Sequence, residues 1–195
     1  MAIDGDLEGA IAAHLAAGEM TAAATAALRG MGPQILGFLS MTLRDDGAAD
    51  DVFGHFSEEL WKSIATFRGD SSFKTWTYKL VMHAVSRYRR DGFRRRGQPL
   101  ATAEVSAIAE QIRSQTAPFR RTEVKDRIAR LRDTLDPDDQ TLLFLRIDQA
   151  LPWNDVAAVI SARGEAVDVA ALRKRFERAK ARLRKLAEAE GLLGD

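Results

Sequence analysis

The chain has 195 residues, a formal net charge of +1, 46% hydrophobic residues and no cysteine. This composition supports a packed core of one or two small domains and excludes disulfides, Cys-based zinc sites and thiol redox chemistry. The first residues lack the basic and apolar regions of a secretory signal, and no apolar run reaches the ~18 residues that a membrane span needs. We therefore expect a cytoplasmic protein.

Helical periodicity runs through the chain and strand signals are scarce, so the sequence predicts an all-α fold. Helices are predicted at 6–17, 20–43, 47–65, 71–91, 122–135, 137–149, 153–162 and 167–189. The stretch 97–121 is polar and has a weak apolar pattern, which is typical of a linker with one transient helix at most. The predicted organisation is two small helical domains, 1–96 and 122–195, joined by this linker.

The near-neutral total charge hides three charged blocks. Residues 45–59 contain six acidic side chains and no Lys or Arg, whereas residues 85–96 contain six arginines and one Asp. Residues 173–185 contain eight basic side chains and one Glu. Most charge runs form solvated helix faces, but such faces usually mix signs. The two basic blocks therefore favour contact with nucleic acid.

The helix predicted at 71–91 places an apolar stripe beside a basic face, with Trp76 at the margin between them. A polar loop, Phe67 to Ser72, precedes it. Aromatic groups next to cations and a hydrogen-bonding loop suit single-stranded DNA, whose bases stack or flip into pockets. We expect Phe73 in the core. For Trp76, core packing and base stacking both stay open.

The second half of the chain predicts a helix-turn-helix unit. Asp168 is a good N-cap for the last helix, whose apolar stripe runs from Val169 to Leu183. Short helices joined by a turn, with the last one basic on its outer face, match a reader of the DNA major groove. Small side chains near its start allow close approach, and long cationic side chains reach bases and phosphates. The candidate contacts are Ala170, Ala171, Arg173, Lys174, Arg175, Arg178 and Arg182.

Three segments carry a resemblance to a known family. They are AADDVFGHFSEELWKSIATFRGDSSFKTWTYKLVMHAVSRYRRDGFRRR (48–96), RIARLRDTLDPDDQTLLFLRIDQALPWNDVAAVI (127–160) and VAALRKRFERAKARLRKL (169–186). In this order they resemble the extracytoplasmic-function sigma factors of the sigma-70 superfamily. The first segment is similar to sigma region 2, and the other two are similar to region 4.

The resemblance implies a non-catalytic factor that directs promoter-specific transcription initiation, without metal or cofactor. Its partners would be core RNA polymerase and promoter DNA. Such factors are commonly held by an anti-sigma protein, although no residue identifies one here. The helix predicted at 167–189 would read the -35 element. The implied polymerase-binding residues are Asp50, Asp51, Val52, Phe56, Leu60 and Trp61. The implied -10 contacts are Arg68, Ser71, Ser72, Lys74, Trp76, Lys79, His83, Arg87 and Arg90.

The chain departs from the family pattern at two places. Gly54 and His55 stand where the family often has a Gln-Glu pair, which affects the expected polymerase-binding helix. The turn at 161–167 is longer than the tight turn of the family and could shift the reading helix.

Three other classes of protein fit the sequence less well. A stand-alone helix-turn-helix regulator is the main alternative, and it would bind duplex DNA unaided. An enzyme is not expected, because His14, His55 and His83 are isolated and the sequence has no HExxH, phosphate-binding glycine loop or serine nucleophile elbow. A helical adaptor would leave the two arginine-rich helices unexplained.

Overall fold

The computed structural model describes residues 4–91, 103–121, 127–164 and 166–191. Over these residues the fold is all-α, as the sequence predicts. In the same part of the chain, no helix combines the length and the apolar character needed to cross a membrane. The helices are α1 Asp4–Ala16, α2 Met20–Leu43, α3 Asp46–Ser63, α4 Phe73–Asp91, α5 Ala103–Arg121, α6 Arg127–Asp133, α7 Pro137–Leu143, α8 Trp153–Ser161 and α9 Val169–Ala189. The beginning of the helix predicted at 122–135 lies outside the described residues.

Helix α2 is the centre of the first half, because α1, α3 and α5 all pack against it. Its apolar side chains, including Leu28, Ile35 and Leu39, are almost fully buried. Arg44 ends α2 in the left-handed conformation, with φ 53°, and its N–H donates to the Ser40 carbonyl at 2.9 Å. The next residue, Asp45, caps α3 by accepting a hydrogen bond from the Ala48 amide. A tight corner therefore joins the two helices.

The segment 97–121 differs from the expected linker, because its described part is helix α5. Its residues on one side are buried, namely Val105, Ile108, Ala109 and Ile112. Two glycines make room for α5: a Cβ at Gly32 would lie 2.6 Å from Cδ1 of Ile112, and a Cβ at Gly54 would lie 2.9 Å from Nη2 of Arg113. Helix α5 is thus packed against α2 and α3.

The second half is built from α6 to α9. Asp136 caps α7 by accepting from the Asp138 amide at 2.9 Å, and Asp168 caps α9 by accepting from the Ala171 amide at 3.0 Å. The cap predicted at Asp168 is therefore confirmed. In the long turn between α8 and α9, the Val167 amide donates to Oγ of Ser161 at 3.1 Å. This bond ties the two ends of the turn together.

The two halves pack against each other through α2, α4, α7 and α8. The ring of Phe144, in a π-helical turn after α7, stacks on Phe38 at 4.7 Å and meets Tyr78 edge-on at 5.7 Å. Oγ1 of Thr75 donates to Oδ2 of Asp155 across the boundary at 3.0 Å. One continuous hydrophobic core consequently runs through both halves.

Candidate nucleic-acid and polymerase interfaces

Helix α9 has one apolar face and one basic face, as the sequence predicts. Leu172, Phe176 and Ala179 are buried, and the ring of Phe176 meets Trp153 of α8 edge-on at 5.3 Å. This packing directs the opposite face of α9 to solvent. The exposed candidates for DNA contact are Ala170, Ala171, Arg173, Lys174, Arg178 and Arg182.

Arg175 is the one candidate on α9 that is only half exposed. Its guanidinium points toward the start of α7, where Nε lies 2.5 Å from Asp139, Nη2 lies 2.9 Å from Asp136 and Nη1 lies 3.6 Å from Asp138. Burial alone would lower the pKa of Arg175. The hydrogen bond to Asp139 and the charges of all three aspartates outweigh that effect, so its pKa is raised above the ordinary value. The guanidinium is therefore held against the start of α7, although the side chain stays partly exposed.

An aromatic ring beside α9 was missed by the sequence analysis. Trp153 begins α8, and the guanidinium groups of Arg146 and Arg173 lie over its ring, 5.2 Å and 5.6 Å from the centroid. Nη1 of Arg146 also donates to the Leu151 carbonyl at 2.7 Å, which fixes its position. A signal was present in the sequence, since Trp153 follows Pro152 at the start of a helix that precedes a basic one.

The aromatic residues expected near single-stranded DNA form a cluster. The ring centroids of Phe67, Phe73 and Trp76 are all within 5.5 Å of one another. Phe73 is buried, which confirms its expected place in the core. Trp76 is half-buried, so part of its ring packs in this cluster and part faces solvent.

The nine candidates around α4 fall into three groups. Arg68, His83, Arg87 and Arg90 are exposed, whereas Ser71, Trp76 and Lys79 are half-buried. The remaining two, Ser72 and Lys74, are also half-buried, and they make internal contacts, as does Arg87, whose Nη1 lies 3.7 Å from Oε2 of Glu59. Oγ of Ser72 accepts from the Thr75 amide at 3.1 Å, as a helix cap does, and Nζ of Lys74 donates to the Gln149 carbonyl at 3.4 Å. The basic face is therefore open mainly along the later turns of α4.

The expected polymerase-binding helix is α3, and the structure corrects part of that expectation. Val52, Phe56 and Leu60 are 0%, 0% and 1% exposed. They lie in the core at a spacing of four residues, so their side chains cannot contact a partner in this conformation. Asp51 is exposed, and Asp50 and Trp61 are half-buried. These three remain accessible on the outer side of α3.

The departure from the family pattern at Gly54 and His55 can be explained by its surroundings in the structure. Gly54 lies beneath the Arg113 guanidinium, so the side chain missing from α3 is replaced by one from α5. Burial is the largest influence on the neighbouring His55 and lowers its pKa below 6.5, although Glu58 and Asp51 act against it.

Within the described residues, no group of three or more His, Asp or Glu side chains is arranged to hold a metal ion.

The fold presents basic faces on two helices, and comparison with known proteins indicates what kind of protein carries them. Residues 28–96 match the family Sigma-70 region 2. The chain is also similar to the RNA polymerase sigma-H factor of Pseudomonas aeruginosa, with 27% identity over 133 residues that cover 65% of this chain and 69% of that protein. Residues 28–96 therefore have the sequence of a sigma-70 region 2 domain, and both comparisons support a sigma factor of the sigma-70 family.

Proposed function

We propose that this protein is a sigma factor of the extracytoplasmic-function type, which reads promoters with two separate basic helices. In this proposal residues 1–96 dock on core polymerase and open the -10 element, and residues 122–195 bind the -35 element. The observation that supports it most is the basic face of α9, which stays exposed while Phe176 and Leu172 anchor the helix in the core. The protein acts without catalysis, in the cytoplasm.

Docking on polymerase is assigned to the outer side of α3. Asp51 is exposed there beside the half-buried Asp50 and Trp61, while the buried residues of α3 only fix the orientation of the helix. Reading of the -10 element is assigned to α4, because His83 and Arg90 are exposed on it and the aromatic cluster lies at its beginning, where Trp76 is half-buried. Cations beside a partly exposed aromatic ring suit unpaired bases.

The proposal predicts that sequence-specific binding needs core polymerase. The free chain should bind duplex promoter weakly, whereas the complex with core polymerase should form open complexes on a promoter library. Asp51→Lys should weaken assembly with polymerase while leaving the folded domain intact, because exposed substitutions change stability by ~0.5 kcal/mol or less. Asp6→Lys on α1 is the matched control, since Asp6 is also exposed and undergoes the same change of charge.

Each of these experiments tests a different part of the proposal. Normal assembly of the Asp51→Lys protein would exclude this face of α3 as the docking surface. Tight and specific duplex binding by the free chain would favour a stand-alone helix-turn-helix regulator. Control by an anti-sigma protein is an expectation of the resemblance, and a partner that blocks assembly with core polymerase would support it.

A further inference from the structure

Three aspartates at the start of α7 surround one arginine of α9. Each of the three guanidinium nitrogens of Arg175 faces a different carboxylate: Nε faces Asp139, Nη2 faces Asp136 and Nη1 faces Asp138. The Asp139 side chain is only 18% exposed, so this part of the network is shielded from solvent. Shielded charge pairs with several hydrogen bonds hold a fixed geometry far better than exposed pairs do.

One of these aspartates, Asp138, also holds the long turn that precedes α9. Nη1 of Arg163 pairs with Oδ1 of Asp138, and its Nη2 lies 3.4 Å from Oγ1 of Thr141. The Ser161 hydroxyl closes the turn by accepting from the Val167 amide. The turn and the helix that follows it are therefore attached to one point, the first turn of α7.

This geometry conflicts with a base-reading role for Arg175. A specific contact to guanine uses two N–H groups of one guanidinium at once. In Arg175 the nitrogens that would supply them already face carboxylates. Lys174 and Arg178 are exposed on α9, and in the part of the chain that the structure describes neither side chain forms an ion pair.

We propose that Arg175 is a positioning residue that locks α9 onto α7 and so decides which side chains of α9 face the -35 element. It contacts neither bases nor phosphates itself. Asp139 and Asp136 are its partners in this role, and Asp138 shares it with Arg163. The inference rests on the proposed function of α9 as the -35 reader.

The test is transcription by core polymerase with the full chain on a randomised -35 library, at several salt concentrations. The variants are Arg175→Ala, Arg175→Lys, Asp139→Asn and Asp136→Asn. Asn caps a helix about as well as Asp, so Asp136→Asn removes a charge from the network and keeps the cap of α7. Thermal unfolding of each variant, followed by circular dichroism, reports whether the second half stays folded.

If Arg175 positions the helix, Asp139→Asn and Arg175→Ala should reduce -35-dependent transcription several-fold and shift base preference in the same way. A double variant that combines Asp139→Asn with Arg175→Ala should be no worse than either single variant, because both substitutions remove one shared interaction. Arg175→Lys should retain part of the activity, since the ammonium can still meet Asp139. The salt dependence should keep its wild-type slope in all four variants. In the control Arg178→Ala, the slope of log promoter affinity against log salt concentration should become shallower by ~0.9 if that residue meets a phosphate.

Removing an acidic group near DNA would strengthen binding if charge alone mattered, so the sign of the Asp139→Asn effect is decisive. Unchanged or increased transcription by Asp139→Asn, together with altered base preference in Arg175→Ala, would overturn the inference and make Arg175 a direct contact. Failure of the proposed function looks different. In that case Lys174→Ala and Arg178→Ala would also leave -35 use unchanged.

Discussion

The contact between α3 and α5 can be tested with a single methyl group. Gly54→Ala places a Cβ 2.9 Å from Nη2 of Arg113, so the guanidinium must move away from the Asp50 carbonyl, to which Nη2 donates at 3.3 Å. Alanine in a helix interior is more favourable than glycine by ~0.5–1 kcal/mol. Loss of so long a hydrogen bond removes about 0.5–1 kcal/mol. These effects oppose each other, so the free energy of unfolding should stay within ~0.5 kcal/mol of wild type.

The result should change when the guanidinium is absent. In an Arg113→Ala background, Gly54→Ala should stabilise the protein by about 0.5–1 kcal/mol, because only the helix preference remains. Gly37 of α2 is the matched control, since a Cβ there meets nothing within 4 Å and the gain should be equal in both backgrounds. Urea denaturation measures these free energies, and unchanged m-values would show that two-state unfolding is kept. Equal gains from Gly54→Ala in both backgrounds would refute the contact.

Two further predictions concern strand opening and pH. Arg90→Ala should reduce open complexes on duplex promoters and be partly rescued on templates already melted at the -10 element, because the unstacking cost of a few kcal/mol is then removed. Equal losses on both templates would contradict this prediction. The control is Arg29→Ala, which removes an exposed arginine of α2. Because burial lowers the pKa of His55 in the folded protein below its ordinary 6.5, protonation favours the unfolded chain. Stability should therefore fall as pH drops below 6.5, and less steeply in His55→Asn, as urea denaturation at pH 7.5 and 5.5 would measure.

Elements with strong local signals could be predicted from the sequence. The apolar stripe of α9 and the cap at Asp168 depend on spacing within one helix, and the structure agrees with both. The burial of Phe73 was predicted for the same reason. In each case neighbours in sequence determine the environment, so helical periodicity is sufficient.

Helix α5 was harder to predict because its partners are remote in sequence. Its buried residues do follow helical spacing, with Val105, Ile108, Ala109 and Ile112 on one side. Small polar residues and Pro118 weaken that pattern, and the room for the helix comes from Gly32 and Gly54. The sequence around a helical glycine does not indicate which distant side chain packs against that glycine.

On α3 the resemblance led us to a wrong expectation that periodicity could have prevented. Val52, Phe56 and Leu60 recur every fourth residue, which is the spacing of a stripe facing a core. All three are buried. The acidic block around them indicated a docking helix, but only the residues on its outer side, namely Asp50, Asp51 and Trp61, remain accessible among the six that the resemblance implied.

Intramolecular contacts sort the cations of α9 into two sets, which a helical wheel alone cannot do. Those on the flanks have partners: Arg175 meets three aspartates, Arg173 lies over Trp153, and Lys180 and Arg184 pair with glutamates of their own helix. The remaining cations of α9 form no ion pair or ring contact with any residue that the structure describes; they are Lys174, Arg178, Arg182 and Lys185. At 100° per residue these four lie within about 80° of one another and opposite the buried stripe. The charges without internal partners thus form a single narrow face of α9, and that face is where DNA contact should be sought.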